Sequence, residues 1–518
     1  MHPGIAMLIP LGQLLLLGMF GLAGCMRVGP EFQPPGETWA ERWTSPALEQ
    51  SSRRGTDPDV RQWWKIFNDP VLDRLIAESD AHNANLKIAG LRVMQARAQL
   101  GIAQSARYPQ VQQASADALY FNRRQSGGSN PQDSHFWQYS AGFDLGWELD
   151  FWGRFSRAIE SSDAAWFAAQ ANYEDALVLL RAQVASTYFA VRTTEARLRV
   201  ARENAEQQKR NFEITQRLFN SGQTAELDLQ QARTQYLGTL SIIPSLEDQL
   251  QRTRNALMGL IGRPPGVFSE LTSNEGLIPL VNQAVLQEVP AMLLTRRPDV
   301  RAAELDVASQ SALIGVAQSD FYPSLTLLGS IVWSTDSLSG TSRSLDSVGG
   351  PSLRWNLFDH GRISNNVRVQ DARLQQLIEV YREKVRQAAR EADDAAYGLI
   401  KSLQREQILQ QAQLAARRSL VLASTQYREG YSDFQRVLDA QRALLDQQDN
   451  YLLARSDAVN NLIDLYKALG GGWYSAQPKV DPATRKVMQE RSDWGGLMDE
   501  PAVAAPALRQ PDTVNEHE

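Results

Sequence analysis

Hydrophobic positions follow two periods along this chain, and the switches between them mark its elements. From Trp137 to Phe151 every odd position is apolar: Trp137, Tyr139, Ala141, Phe143, Leu145, Trp147, Leu149 and Phe151. Every even position between them is small or polar. A period of two predicts a strand with one dry and one wet face. At about 3.3 Å per residue it would run roughly 50 Å, enough to cross a bilayer at a tilt and continue beyond it. Trp, Tyr and Phe gathered on one face suit a lipid-facing wall better than a soluble sheet. Less regular alternation predicts partner strands near 111–121, 325–333 and 352–358, with Gly- and Ser-rich loops at 127–131 and 337–349 between them.

Elsewhere the period is helical, and much of it repeats every seven residues. Leu229, Tyr236, Ile243, Leu250 and Leu257 form one column; Val437, Leu444, Tyr451, Ala458 and Leu465 form another, 208 residues later. Leu438, Leu445, Leu452, Val459 and Tyr466 run beside the second. Two adjacent seven-residue columns give a stripe wide enough to touch two neighbours, as in a curved wall of supercoiled helices. The span from Arg154 to Gly222 predicts about 100 Å of helix, that from Gly222 to Gly262 about 60 Å, and that from Pro298 to Phe321 about 35 Å. One long helix therefore leaves the strands, turns at Gly222, and two shorter ones return. Gly222 and Gly430 suit helix ends, Pro298 suits a first helical turn, and Pro244 predicts a kink.

The chain is a duplication. Ala103 to Pro109 recurs at Ala317 to Pro323, and Leu145, Trp147, Leu149, Gly153 and Arg154 recur as Leu353, Trp355, Leu357, Gly361 and Arg362. Gly222 and Gly262 recur as Gly430 and Gly470. The predicted organisation is a signal peptide over 1–24, a lipidated extended segment over 25–68, a first repeat over 69–283 and a second over 284–474. The first repeat holds a hairpin at about 109–151 and long helices over 154–262; the second holds a hairpin at about 323–359 and long helices over 362–470. A disordered tail rich in Pro, Ala and charge is predicted over 475–518.

Composition narrows the reading. The chain has 518 residues and a net charge of −6, which disfavours a nucleic-acid partner. No apolar run in its body reaches the roughly 18 residues of a membrane helix, so any crossing is made by strands. The single cysteine, Cys25, ends Leu22-Ala23-Gly24-Cys25 directly after an apolar segment. That arrangement resembles a bacterial lipobox, with cleavage before Cys25 and acylation of its thiol. Met26 rather than Asp follows, which by resemblance to bacterial lipoproteins favours the outer membrane. Four strands cannot close a barrel, and an open edge cannot face lipid, so several chains must share one barrel. Two, three or four copies would give 8, 12 or 16 strands; the pattern does not choose.

Several motifs then coincide: the lipobox with Val28-Gly29-Pro30, Trp63-Trp64 with Asp69-Pro70, Arg296 to Glu304, and Leu438 to Arg442. Together, over roughly 60–474, they resemble the TolC family of outer-membrane efflux proteins, in its lipoprotein (NodT/OprM-like) branch. The resemblance implies a mainly α fold with a transmembrane β-barrel: a homotrimer with a shared twelve-stranded barrel and a periplasmic α-barrel of coiled helices. It implies a passive exit duct that docks onto a periplasmic adaptor (membrane fusion) protein and an inner-membrane pump, of the proton-driven RND type, with outer-membrane lipid around it. On that resemblance the periplasmic aperture falls at Tyr427, Arg428, Asp439 and Arg442, and the tips at Gly222 and Gly430 meet the adaptor. Asp439 lies nine residues past the Gly430 turn, about 13 Å up the helix. In a threefold tube it would form a ring of three carboxylates favouring cations, and Arg428 could clamp the closed state against a neighbour's carboxylate. The neighbouring readings are a lipid-anchored coiled-coil adaptor or scaffold, or an exit duct for a protein or metal-ion exporter.

The chemistry of an enzyme is missing from the sequence. The five histidines are scattered and there is no second cysteine, so no metal site and no cofactor is expected. No phosphate-binding loop, nucleophile elbow or metalloprotease motif occurs.

Overall fold

The computed structural model describes residues 27–36, 60–124, 133–266, 277–281, 297–336, 343–473 and 480–498. Cys25 and the signal segment lie outside these residues, as does the loop at 127–131. Within them run helices α1 (Pro70–His82), α2 (Ala84–Ser105), α3 (Arg154–Asn220), α4 (Glu226–Leu260), α5 (Pro298–Ser319), α6 (Arg362–Arg428), α7 (Phe434–Ala468) and α8 (Pro482–Arg491). Strands β1 (Val111–Arg124), β2 (Asp133–Glu148), β3 (Ser324–Thr335) and β4 (Arg343–Arg354) form one antiparallel sheet in that order.

The duplication is exact in helix length. α2 and α5 each have 22 residues, α3 and α6 each 67, and α4 and α7 each 35. Each long helix stops at a glycine with positive φ: Gly222 (74°), Gly262 (75°), Gly430 (80°) and Gly470 (68°). At the Gly222 end, Gln223 N–H bonds Leu218 O at 2.8 Å and Gly222 N–H bonds Phe219 O at 2.9 Å. At the Gly430 end, Tyr431 N–H bonds Gln426 O at 2.9 Å and Gly430 N–H bonds Tyr427 O at 3.0 Å. These paired bonds satisfy the last carbonyls of each helix and need the left-handed conformation that glycine adopts without strain. α4 continues as one helix through Pro244.

Three expectations are corrected. β2 ends at Glu148 rather than Phe151, because Asp150 turns to cap α3, accepting from Phe155 N and Ser156 N at 2.9 Å each. β4 starts at Arg343, inside the stretch read as a loop; its Gly- and Ser-rich sequence is held extended by β3, with Trp333 opposite Leu345 and Gly329 opposite Gly349. The tail contains α8, whose Asp481 accepts from Thr484 N at 2.9 Å and lies 3.8 Å from Lys87. A proline at N1 behind an Asp cap is a strong helix start, and it outweighs the polar composition there.

The chain forms two compact units that cut across the repeats. Unit 1 takes 1–35, 94–168 and 303–381 and holds the sheet with the helix segments at its root. Unit 2 takes 36–93, 169–302 and 382–518 and holds the helix tips. In unit 2, Trp63 (1% exposed) stacks on Tyr466 with ring centroids 5.5 Å apart, and Phe67 meets Phe189 at 4.7 Å. Burying one such side chain contributes about 1.5–3 kcal/mol, which fixes the 3-10 turn Val60–Phe67 against the helices. Asp69 caps α1 through Val71 N at 2.9 Å and accepts from buried Tyr188 Oη at 2.5 Å. Burial, then Asp69, push the Tyr188 phenol up, so it stays a donor. Arg297 joins three helices: it donates to Asp299 of α5 at 3.0 Å, Glu391 of α6 at 2.8 Å and the Ala468 carbonyl closing α7 at 2.9 Å. Arg297 and Asp299 of the 296–304 motif thus have a structural task in this unit.

Candidate duct aperture and membrane face

In unit 1 the strand register sorts the sheet into two chemically different faces. Tyr120 lies opposite Trp137, Ala118 opposite Tyr139, Ala114 opposite Phe143, and Ile331 opposite Phe143 on the other side. Side chains of cross-strand partners share a face, so one face carries Tyr120, Trp137, Tyr139, Phe143, Leu145, Ile331 and Trp333. The opposite face carries Ser115, Asp117, Gln138, Ser140, Asp144, Ser330 and Asp346. The apolar face is exposed, with Trp137 49%, Phe143 47% and Ile331 54% accessible, and the opposite face is open too, where Leu119 and Leu328 stand among the polar residues at 52% and 51%. No layer of this chain packs on the apolar face among the described residues.

Aromatics gather at both ends of this face. Trp137 lies 5.5 Å from Tyr120 and 6.2 Å from Tyr139, centroid to centroid. Trp147 stands ten positions away, about 33 Å along the strand, or about 25 Å if tilted by about 40°. That is the height of the apolar band of an outer-membrane barrel. Trp147 Nε1 donates to Arg107 O at 3.1 Å, and its repeat partner Trp355 donates to Phe321 O at 3.0 Å. Each hairpin root is thereby tied to the end of the preceding helix.

In unit 2 the tips are formed by the α3–α4 and α6–α7 turns. Phe434, Val437 and Leu438 of α7 bury with Ala232 of α4, and Phe212, Leu420 and Tyr427 pack around them. Tyr427 lies 5.2 Å from Phe434, and burial, with Asp228 nearby, raises its phenol. Tyr427 is therefore an anchor of the tip. Arg428 is exposed and folds back on its own helix, Nε donating to Ser424 O at 3.2 Å and Nη2 to Thr425 Oγ1 at 3.4 Å. Asp439 is exposed on the face of α7 opposite this cluster; it accepts from Gln435 at 3.1 Å and lies 3.6 Å from Arg442. Arg442 also donates to Gln235 of α4 at 3.2 Å. Exposed pairs of this kind contribute a few tenths of a kcal/mol, so Asp439 is not committed to holding the fold. Asp449 differs: Arg197 grips it at 2.6 and 3.0 Å.

The structure thus brings Asp439 and Arg442 together, places Arg428 and Gly430 at the adjoining turn, and draws Tyr427 inward. Gly222 caps the neighbouring turn, in open space like Gly430. Sequence reasoning missed Gln235, whose pairing with Arg442 spans 207 residues. It also missed exposed Asp446, one heptad beyond Asp439 on the same face; the seven-residue spacing was the available signal.

Comparison with known proteins decides the family. The profile described as outer membrane efflux protein matches residues 75–263 and 289–471. The chain belongs to that family. It is 31% identical over 465 residues to the probable outer membrane lipoprotein SilC of Salmonella typhimurium, covering 88% of this chain and 97% of that one. It is 30% identical over 453 residues to the pyoverdine export outer membrane protein OpmQ of Pseudomonas putida, covering 84% and 92%. Among solved structures, the outer-membrane channel OprN matches with a TM-score of 0.77 at 31% identity, covering 86% of this chain and 99% of that one. The open-state MtrE channel of Neisseria gonorrhoeae matches with a TM-score of 0.73 at 25% identity, covering 86% and 98%. The family is one of outer-membrane efflux channels rather than of enzymes. Its repeated hairpins and long helices are those described above.

Proposed function

We propose that this efflux-family chain is the passive exit duct of a tripartite export system, working as a homotrimer. The observation that carries the reading is the sheet. Among the described residues it is four strands wide, its β1 and β4 edges pair with no further strand, and its apolar, aromatic-bordered face is exposed. Unpaired edges cannot stand in lipid, and three copies would close them into twelve strands with the polar faces lining a lumen. A lipid at Cys25 would add a second hold on the same membrane. The helix tips at Gly222 and Gly430 would meet a periplasmic adaptor, and through it a proton-driven, RND-type pump in the inner membrane.

In this reading the chain supplies a path and a gate, and the pump supplies the energy. The constriction would be the α6–α7 turn, with Asp439 facing the axis and Arg442 beside it. Cargo is set by the pump, which fits the family's spread: among relatives, one is named a cation efflux protein and another a pyoverdine export protein. Native mass spectrometry of the detergent-solubilised protein, with conductance in a planar bilayer, tests the proposal. Three copies and a steady conductance are expected. A folded, non-conducting monomer with the same strand content would refute it.

A further inference from the structure

An N-terminal arm, residues 27–31, is seated in unit 1 by contacts that leave no room for a side chain. Val28 is buried and donates its N–H to Trp152 O at 3.1 Å. Gly29 has φ +100°, and a methyl group on it would lie 2.4 Å from Cα of Gly315. A methyl group on Gly315, inside α5, would lie 2.7 Å from the Val28 carbonyl and 2.9 Å from Cγ of Arg157. Gly153, at the start of α3, has φ +77°, and a methyl group there would lie 3.0 Å from Cα of Arg27.

Arg157 completes the seat. It is 1% exposed. Its Nε donates to Val28 O at 3.1 Å, and its Nη2 donates to Gly29 O at 3.3 Å and to the Glu31 carboxylate at 2.7 Å. Only Glu160, at 2.9 Å, is a partner from its own helix. With the arm removed, the guanidinium would keep one carboxylate and lose three acceptors, with only water to replace them. Glycine inside α5 is likewise unfavourable for the helix by itself. Gly315 thus makes room for both the arm carbonyl and Arg157, and Arg157 in turn is held by the arm. The residues of the seat also come from different repeats: Trp152, Gly153 and Arg157 follow the first hairpin, and Gly315 precedes the second.

We propose that Gly153, Arg157 and Gly315 form a receptor for an extended peptide, and that the chain's own residues 27–31 are its occupant. The ligand is read through its backbone carbonyls, a positive-φ glycine and an acid two residues later. Its seating locks the roots of the two hairpins together, so that order at the base of the sheet depends on the arm.

The test uses the full-length protein in detergent. Gly315→Ala should lower the apparent melting temperature by several degrees, because the methyl meets the rigid arm backbone as well as Arg157. In a chain lacking 27–31 the same substitution should lower it by much less, because the methyl then meets only the flexible Arg157 side chain. A synthetic peptide copying residues 27–36 should raise the melting temperature of the deleted chain, and its Gly29→Val version should not. If the deleted chain does not fold, full-length Gly29→Val serves instead, and trypsin should cut after Arg27 at least tenfold faster than in wild type. A stabilising Gly315→Ala in the full chain, a deleted chain indifferent to the peptide, or unchanged cutting after Arg27 would each overturn the proposal.

Discussion

Asp439 and Arg442 stand one turn apart on α7, with 3.6 Å between carboxylate and guanidinium and more than half of each side chain exposed. The pair is weak by geometry and opposed in charge, so the two residues should act on a pore in opposite directions.

If Asp439 rings the constriction, its summed field makes the isolated channel cation-selective, screened by salt over about 8 Å at physiological ionic strength. Asp439→Ala should reduce cation selectivity in a planar bilayer, more at low salt than at high. Arg442→Ala removes the local counter-charge and should increase selectivity. Reversal potentials under a salt gradient decide, and two variants matching wild type would place the constriction elsewhere on the tip.

Arg428 predicts a different phenotype. Its bonds within the chain run to the last turn of α6, so neutralising it should cost the helix end about 0.5 kcal/mol or less. If it also clamps a neighbouring copy, Arg428→Ala should raise single-channel conductance with little change in selectivity. Unchanged conductance would confine Arg428 to capping its own helix.

The lipobox predicts a mature chain that starts at an acylated Cys25. Intact mass of the purified N-terminus measures this directly. An unmodified thiol, or cleavage at another bond, would remove the lipid anchor from the proposed function.

What could be read from the sequence was whatever depended on local periodicity. The alternation over 137–148 and the heptads of α4 and α7 fix their elements from neighbouring residues alone, and the 208-residue repeat multiplies each signal. β4 was expected too late, at 352–358, because Ser344, Ser347, Gly349 and Gly350 have no strand preference of their own; their extended form comes from β3. α8 escaped because composition was weighed above its Asp481-Pro482 start. At the tip, Asp439 and Arg442 come from the family resemblance, with their distance from the Gly430 turn as physical support, whereas Gln235 was hidden by long separation. Arg157 was hidden in the same way, since its partners lie 126 to 129 residues upstream.

Glu174 and Asp175 on α3 give a prediction about pH. Burial pushes the Glu174 carboxyl up to about 7 against the pull of Arg301. Burial likewise pushes Asp175 up to about 6; Asp299 and Glu391 add to the rise, while Arg297 and Lys384 oppose it. Asp175 lines a cavity of about 240 Å³ with Asp299, Glu391, Arg297 and Lys384 of the same unit. In the unfolded chain the two groups return to ordinary values, 4.5 and 3.8. Between the paired values the folded state holds protons that the unfolded state has released, so stability falls as pH rises through that window. The loss is complete once pH is well above about 7, when both carboxylates are charged and buried. Wild-type protein should therefore melt at a higher temperature near pH 5.5 than near pH 8. Glu174→Gln with Asp175→Asn should flatten that difference, since neither amide titrates. If the double variant keeps the wild-type pH dependence, other groups control it and these two carboxylates ionise freely in the folded chain.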